Sequence, residues 1–420
     1  MKNNYKQNFI WNSVAGVVNA GESVIILMIC MRTFGVEMAG ILTIAFAIAN
    51  LMMAIGKFGM RTYQVTDAKS DFSNSEYLGS RIITVAVMMI ASIAVELINV
   101  FAGRHAGYKA VIIVLLCLIY AVESLEDFYV GVFQKEDRLD LGNKIFVARW
   151  ILIFLIFFWG SIKRCNVIWL EIVAIGVSIS IDWILVKYTC QKLQISAIRP
   201  VLQNVYELLK RTFPLFLVAF LSLYITNAPK YAIDRYMDET VQASYGFIAM
   251  PVFVISLLNS FLYQPLLVDM SVAWENRALE KLKCMMKKQF MWIAGLTFGV
   301  LIGSYILGIS FLEILYHVNL EEYKRVFMLL MLGGGILAVI GYECVVLTVM
   351  RKQKFVSIGY LMASFVSVWG FNYCTKYFGI MGNVILYDGL LVMLMLLFTS
   401  FIYFRLKKEC ESQAFREGDR

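Results

Sequence analysis

Three carboxylates, Glu123, Glu126 and Asp127, crowd into "YAVESLEDFYVG", Tyr120 to Gly131, directly after the nearly apolar run "KAVIIVLLCLIY". Acids this close can bind a cation, exchange protons, or pair with basic side chains. On a helix, Tyr120, Glu123, Ser124, Asp127, Gly131 and Gln134 share one face by three- and four-residue spacing. Val122, Leu125, Tyr129 and Phe133 share the opposite face, and Glu126 sits at the edge of the polar stripe. A charge facing lipid costs several kcal/mol, by contested scales about 3 upward. The acids must therefore face a wet cavity, meet a cation, or carry protons. Arg149 is the expected partner, because it enters the next apolar run about as far past the intervening loop as Asp127 precedes it. Two readings stand side by side: a structural ion-pair cluster knitting two helices, and a role in substrate or ion coupling.

Other apolar runs carry polar stripes of the same kind. Asn12, Gly16, Asn19, Glu22 and Ser23 fall on one face of the first, with Glu22 nearest its middle. Thr43, Asn50, Lys57 and Arg61 recur at spacings of seven, seven and four in the second. Asp182, Glu343 and Asp388 are lone acids further on, and Ser256, Asn259 and Tyr263 mark one more run. A single Asn or Ser in such a setting usually makes a helix–helix hydrogen bond. An acid deep in an apolar helix has a functional reading by default. Several striped helices together point to a water-filled cavity and to a transporter of a polar or amphipathic solute.

The elements that must hold these residues are membrane spans. The 420 residues are 60% hydrophobic and 16% charged, with a mean hydropathy of +0.71, whereas a soluble domain is about a quarter charged. That composition excludes disordered, collagenous and disulfide-scaffold classes. The eight cysteines are scattered without a CxxC pair, which argues against a metal site or a disulfide framework. His105 and His317 are the only histidines, too few for a His-based metal site or proton relay. No phosphate loop or nucleophile constellation is visible, so the chain reads as a non-enzyme without a cofactor. Twelve runs reach the roughly 20 apolar residues of a span: 8–33, 38–60, 82–103, 110–133, 145–161, 167–187, 206–228, 243–268, 289–312, 326–349, 355–375 and 380–404. The first is too long for a cleaved signal peptide and reads as an uncleaved anchor.

Roughly three quarters of the 38 Lys and Arg fall on one side of these spans, counting alternate loops and both ends. The net +8 therefore belongs to a membrane surface and not to a nucleic-acid partner. The bias sets both termini in the cytoplasm, in a cytoplasmic membrane, and requires an even number of spans. On this topology Asp127 and Glu123 lie roughly 12 and 18 Å from the cytoplasmic exit of span 4, at about 1.5 Å per residue. The expected organisation is an all-α membrane protein of two six-helix lobes related by an internal pseudo-two-fold, V-shaped around a central cavity. The lobes are 1–187 and 206–405, joined by a basic surface linker over 188–205 and followed by a tail over 406–420. A weak echo between "MRTFGVEMAGILTIAFAIANL" and "DRYMDETVQASYGFIAMPVFVISLLN" supports the repeat. All five prolines fall between 200 and 265, with Pro214 and Pro251 inside spans 7 and 8, either as static kinks or as flexing points.

The stretches "KQNFIWNSVAGVVNA", "MRTFGVEMAGILTIAFAIANL", "RTYQVTD" and "ESLEDFYVGVFQKEDRLDLGNK" resemble the polysaccharide-type flippases of the multidrug/oligosaccharidyl-lipid/polysaccharide exporter superfamily. The resemblance is densest over roughly the first 150 residues and extends through the second half by topology. It implies translocation of an undecaprenyl-pyrophosphate-linked oligosaccharide by alternating access, with a cationic cavity for the pyrophosphate and sugar. The cations it designates on the entry side are Lys57, Arg61, Arg81, Arg149, Lys210 and Arg211, with Arg32 and Arg235 near the outer turns. From these, Lys57, Arg61, Arg149, Arg211, Arg32 and Asn259 are expected to bind substrate. Glu22, Asn19, Asn50, Glu123, Asp127 and Asp182 are expected to line the cavity or couple transport. The implied partners are the lipid-linked oligosaccharide, membrane lipids, H+ or Na+ as counter-ion, and a polysaccharide polymerase with glycosyltransferases. Lipid II flippases of the same superfamily carry arginines deep in their first two spans. Here the first span has none before Arg32 and the second has no cation before Lys57. The competing reading is a cation-coupled multidrug or metabolite antiporter using an acid such as Glu22. A non-transporting scaffold is disfavoured by the polar stripes.

Overall fold

The computed structural model describes residues 2–67, 71–193, 200–252, 254–255, 258–259 and 266–418, with side chains over 6–67, 71–188, 200–252, 254–255, 258–259, 266–267 and 269–411. The described residues form helices and no strand, as the composition requires of a lipid-embedded chain whose backbone must satisfy itself. By contact the chain divides into two compact units, Met1–Ala243 and Ser244–Arg420.

The first unit holds α1 (Lys2–Phe34), α2 (Val36–Lys57), the short α3 (Met60–Thr66), α4 (Asn74–Phe101), α5 (Gly107–Lys135), α6 (Leu139–Ile162), α7 (Val167–Leu193) and α8 (Leu202–Tyr236). α2 and α5 are the most buried of the span-length helices. α5 packs against α2, α4, α6 and α7, and α2 also meets α1 and α8. Small residues let α2 sit this deep, since lipid supplies no hydrophobic force to drive helices together. At Gly56 a β-carbon would lie 2.7 Å from Ser124 Oγ and 2.8 Å from Met88 Sδ. An apolar cluster of Phe72, Tyr77, Leu78, Phe128, Phe133 and Leu208, among others, fills the end of the unit at the start of α4. α8 stays helical across Pro214 and Pro229.

The second unit continues α9 (Glu239–Ala249), then holds α10 (Leu267–Glu275) and α11 (Leu279–Gly303). α11 runs through a π-helical turn, Ser304–Gly308, into α12 (Ile309–Tyr316). α13 (Lys324–Val349) and α14 (Gln353–Gly418) complete it. α14 contains the non-helical Gly379 (φ 63°, ψ −155°), so its two arms correspond to the expected runs 355–375 and 380–404. Ten helical segments among the described residues are long and apolar enough to cross a membrane, counting α14 once. The expected run 243–268 is partly outside the described residues, and with it Ser256, Tyr263 and Pro265. Residues 194–199 of the expected linker are likewise outside them.

Candidate functional site

The acids of the "ESLED" segment sit on α5 where it faces α2, α3, α4 and α6. Lys57, the last residue of α2, reaches Glu123 at 2.9 Å. Phe58 and Gly59 then take left-handed backbone, φ 46° and 64°, and turn the chain into α3. Phe58 is a non-glycine residue in a costly conformation. Its ring is held by parallel stacking on Phe216 of α8, centroids 4.3 Å apart. The break carries Arg61 back alongside α5. There it donates to Gln134 at 3.1 and 2.9 Å and lies 3.3 Å from Asp127. Arg81, fully buried on α4, meets the other oxygen of Asp127 at 2.9 Å. It also donates to the Gly56 carbonyl at 3.1 Å, where the Thr84 hydroxyl donates at 2.8 Å. Those two bonds satisfy a terminal carbonyl of α2 that the helix cannot satisfy itself.

Arg149, on α6 and also fully buried, donates to Glu123 at 2.9 Å and lies 2.9 Å from Glu126 without hydrogen-bond alignment. The Trp150 indole donates to Glu123 at 3.3 Å. On α1, Glu22 accepts a hydrogen bond from the Tyr120 hydroxyl. Tyr120 in turn packs on Trp150. Asp182 of α7 lies within electrostatic range of Arg149, Glu126 and Glu123. The result is one buried constellation in which Lys57, Arg61, Arg81 and Arg149 face Glu123, Glu126 and Asp127, with Glu22 and Asp182 at its margins. Arrangements of this kind hold helices in register, and can also present cations to an anion if some are free to change partner.

Of the residues singled out in the sequence, Lys57, Arg61, Arg149, Glu123 and Asp127 are brought together here. Glu22 and Asp182 lie at the edge. Asn50 is half-buried on α2 and Asn19 is exposed on α1, neither with a bond to the constellation. Arg211 is exposed and pairs with Asp71 at 3.2 Å and Glu207 at 3.0 Å. Arg32 lies at the opposite end of α1, and Arg235 beside Tyr236 at the end of α8. Asn259 belongs to the second unit, where it donates to the Ala338 carbonyl at 3.1 Å and accepts from Gln289 at 2.8 Å. Glu126, placed by spacing at the edge of the stripe, is buried in the constellation, because its side chain reaches Arg149 from the flank.

A second charged cluster had no signature in the sequence. His105, in the loop between α4 and α5, places Nδ1 2.6 Å from Glu96 and Nε2 2.8 Å from Asp234 of α8. Lys109 adds contacts to Asp234 at 2.6 Å and Glu239 at 3.3 Å. Burial disfavours the charged ring, but the hydrogen bonds to Asp234 and Glu96 outweigh it and lift His105 to about 9. The partners come from three separated segments, so residue spacing carried no hint of them.

Residues 5–270 match the family model described as "Polysaccharide biosynthesis protein". No curated protein matches the chain. The fold is similar to that of an inward-facing multidrug resistance MATE family transporter of the MOP superfamily. That match has a TM-score of 0.72 at 10% identity, covering 93% of this chain and 96% of the other. It is similar also to the lipid II flippase MurJ in an inward closed conformation, with a TM-score of 0.71 at 13% identity over 93% of this chain and 87% of MurJ. A Vibrio cholerae MATE transporter in its bent form matches with a TM-score of 0.59 at 12% identity, covering 99% and 98%. The chain thus belongs to the polysaccharide biosynthesis protein family, as a multi-pass membrane protein built on the transporter fold of the MOP superfamily.

Proposed function

We propose that this chain flips an undecaprenyl-pyrophosphate-linked oligosaccharide across the cytoplasmic membrane by alternating access, with both termini in the cytoplasm. The observation that carries the reading is the unequal exposure of the four cations. The side chains of Lys57 and Arg61 are 30% and 32% exposed, whereas those of Arg81 and Arg149 are 1% and 0% exposed. The buried pair is held by Asp127, Glu123 and Glu126 away from solvent. The exposed pair flanks the break at Phe58–Gly59 and can exchange a carboxylate for a phosphate at small cost, because half-solvated ion pairs are worth little. Two adjacent cations suit a diphosphate, with Arg61 able to grip it bidentately. The Lys and Arg bias of the loops supports the orientation.

Complementation of a strain lacking its own oligosaccharide flippase tests the proposal. The wild-type chain restores surface polysaccharide, and Lys57→Gln and Arg61→Gln instead accumulate the lipid-linked intermediate at unchanged protein level. Full export by both variants would remove these cations from the mechanism. The second reading, a cation-coupled antiporter, draws support from Glu22, buried with one oxygen held by Tyr120 and the other without a partner among the described residues. Efflux of a cationic dye that is lost in Glu22→Gln, with no complementation by the wild type, would favour it.

A further inference from the structure

Helix α7 carries three polar residues that the constellation does not explain. Glu171, Ser178 and Asp182 are spaced seven and four apart and therefore lie in one row along the helix. Glu171 and Ser178 are fully buried. Both carboxylate oxygens of Glu171, the Ser178 hydroxyl and Asp182 Oδ1 lack a hydrogen-bond partner among the described residues. Buried polar groups are almost always satisfied, and a single orphan calls for an explanation. Here four orphaned atoms line up over eleven residues, roughly 16 Å at about 1.5 Å per residue.

The surroundings of Glu171 decide what the row can take. The titratable groups within electrostatic range are the Cys30 thiol of α1 and, from α5, the Tyr108 hydroxyl and the Cys117 thiol. None is a cation, and α6 meets this end of α7 through Gly160, packed on Leu170. A bare carboxylate here would be an uncompensated buried charge. A metal cation is a poor fit, since hard ions take about six or more oxygen ligands and thiols suit soft ones. The described residues hold no cluster of metal-ligating side chains either. A proton needs one acceptor oxygen. At the other end, Asp182 lies within electrostatic range of Arg149 and Glu126, so the row leads from a lone acid toward the ion-pair constellation.

We propose that Glu171 is a proton-binding site and that Glu171, Ser178 and Asp182 form a relay delivering that proton to the constellation of α2, α4, α5 and α6. The Glu171 carboxyl releases the proton it bound, becoming a carboxylate. Water admitted between the helices takes that proton and passes one on past the Ser178 hydroxyl, and the Asp182 carboxylate receives it. No other atom changes hands. The relay rests on the transport reading above and deepens it by naming the proton as the coupling ion.

The test separates the two claims. Purified protein in lipid is titrated across neutral pH and read by difference infrared spectroscopy at the carbonyl stretch of protonated carboxyls. Over the bands of the other buried acids, a component of the titrating band that is present in the wild type, shifted in Glu171→Asp and lost in Glu171→Gln is expected. A wild-type spectrum left unchanged by Glu171→Gln overturns the site whatever the protein exports. Polysaccharide export is the second readout, and Glu171→Gln and Asp182→Asn should each lower it at least tenfold at unchanged protein level. Normal export in both overturns the relay. A correct band in a protein that never complements leaves the proton site standing and refutes the flippase reading.

Discussion

Replacing Arg149 by Met is the most demanding test of the buried constellation. Met fills most of the aliphatic volume of Arg, so the change is chiefly one of charge. The guanidinium is wholly buried and lies 2.9 Å from a carboxylate oxygen of both Glu123 and Glu126. Without it, Glu123 keeps Lys57 at 2.9 Å and the Trp150 indole at 3.3 Å. Glu126 keeps no hydrogen bond or ion pair among the described residues. The substitution thus strands one buried acid and half-strands another. Removing one partner of a buried pair costs about 3–5 kcal/mol, which is roughly two to almost four powers of ten in the unfolding constant at about 1.4 kcal/mol per decade. Equilibrium unfolding in mixed micelles of increasing denaturing detergent, followed by tryptophan fluorescence, measures it. Adding Glu126→Gln to Arg149→Met should recover a substantial part of the loss, because the stranded charge is then gone. An Arg149→Met protein within about 1 kcal/mol of wild type, the worth of a solvated pair, would refute the reasoning and show the constellation to be screened by water.

Three further outcomes follow from the same geometry. Arg81→Gln should cost about 3–5 kcal/mol while Lys57→Gln costs about 1 or less, by the same unfolding assay, because the first charge is buried and the second is half-exposed. His105 is raised from its ordinary 6.5 to about 9, so its stabilising contribution is complete below pH 6.5 and is lost as pH rises through 9. The thermal midpoint should fall over that window, and His105→Gln should flatten the profile. Gly56→Ala forces a methyl against Ser124 and Met88 and should destabilise by about 1–3 kcal/mol; an unchanged midpoint would show that α2 and α5 can separate.

What the sequence disclosed and what it hid divide by physical cause. Spans were legible because lipid imposes length and apolarity on every helix. The Glu123 face of α5 was legible because helical spacing aligns it, and Arg149 because two helices joined by a short loop must run antiparallel. Arg81 stood out only as one cation among several, since nothing local reveals that α4 turns it onto both Asp127 and the end of α2. The His105 cluster was opaque for a stronger reason. Glu96, His105, Lys109, Asp234 and Glu239 converge from α4, its following loop, α5, and the end of α8 with the chain beyond it, and a count of two histidines argued the other way. Glu171 was passed over because one acid near the start of a span reads as interfacial. Its burial without a partner comes from packing against α5 and α6, which the sequence does not display.

A site that must release an anion after capturing it cannot rely on its strongest cations. A ligand moves a conformational equilibrium only by the difference in its affinity for the two states. A diphosphate gripped by every cation in both states would therefore be held and not moved. Arg81 and Arg149 are withheld from that role: each is buried against acids, and Arg81 also braces the Gly56 carbonyl. Lys57 and Arg61 stand on opposite sides of a backbone break stabilised by the Phe58–Phe216 stack. A change in φ at Phe58 or Gly59 would alter their spacing and their bonds to Glu123, Asp127 and Gln134 while α2 and α5 stay packed on each other. The buried pair then supplies a fixed frame and the exposed pair a grip whose span can vary. That division gives the difference in affinity that alternating access needs, and it predicts that Gly59→Ala, strained at φ 64° and set against Leu215 at 2.8 Å, impairs export more than it impairs folding.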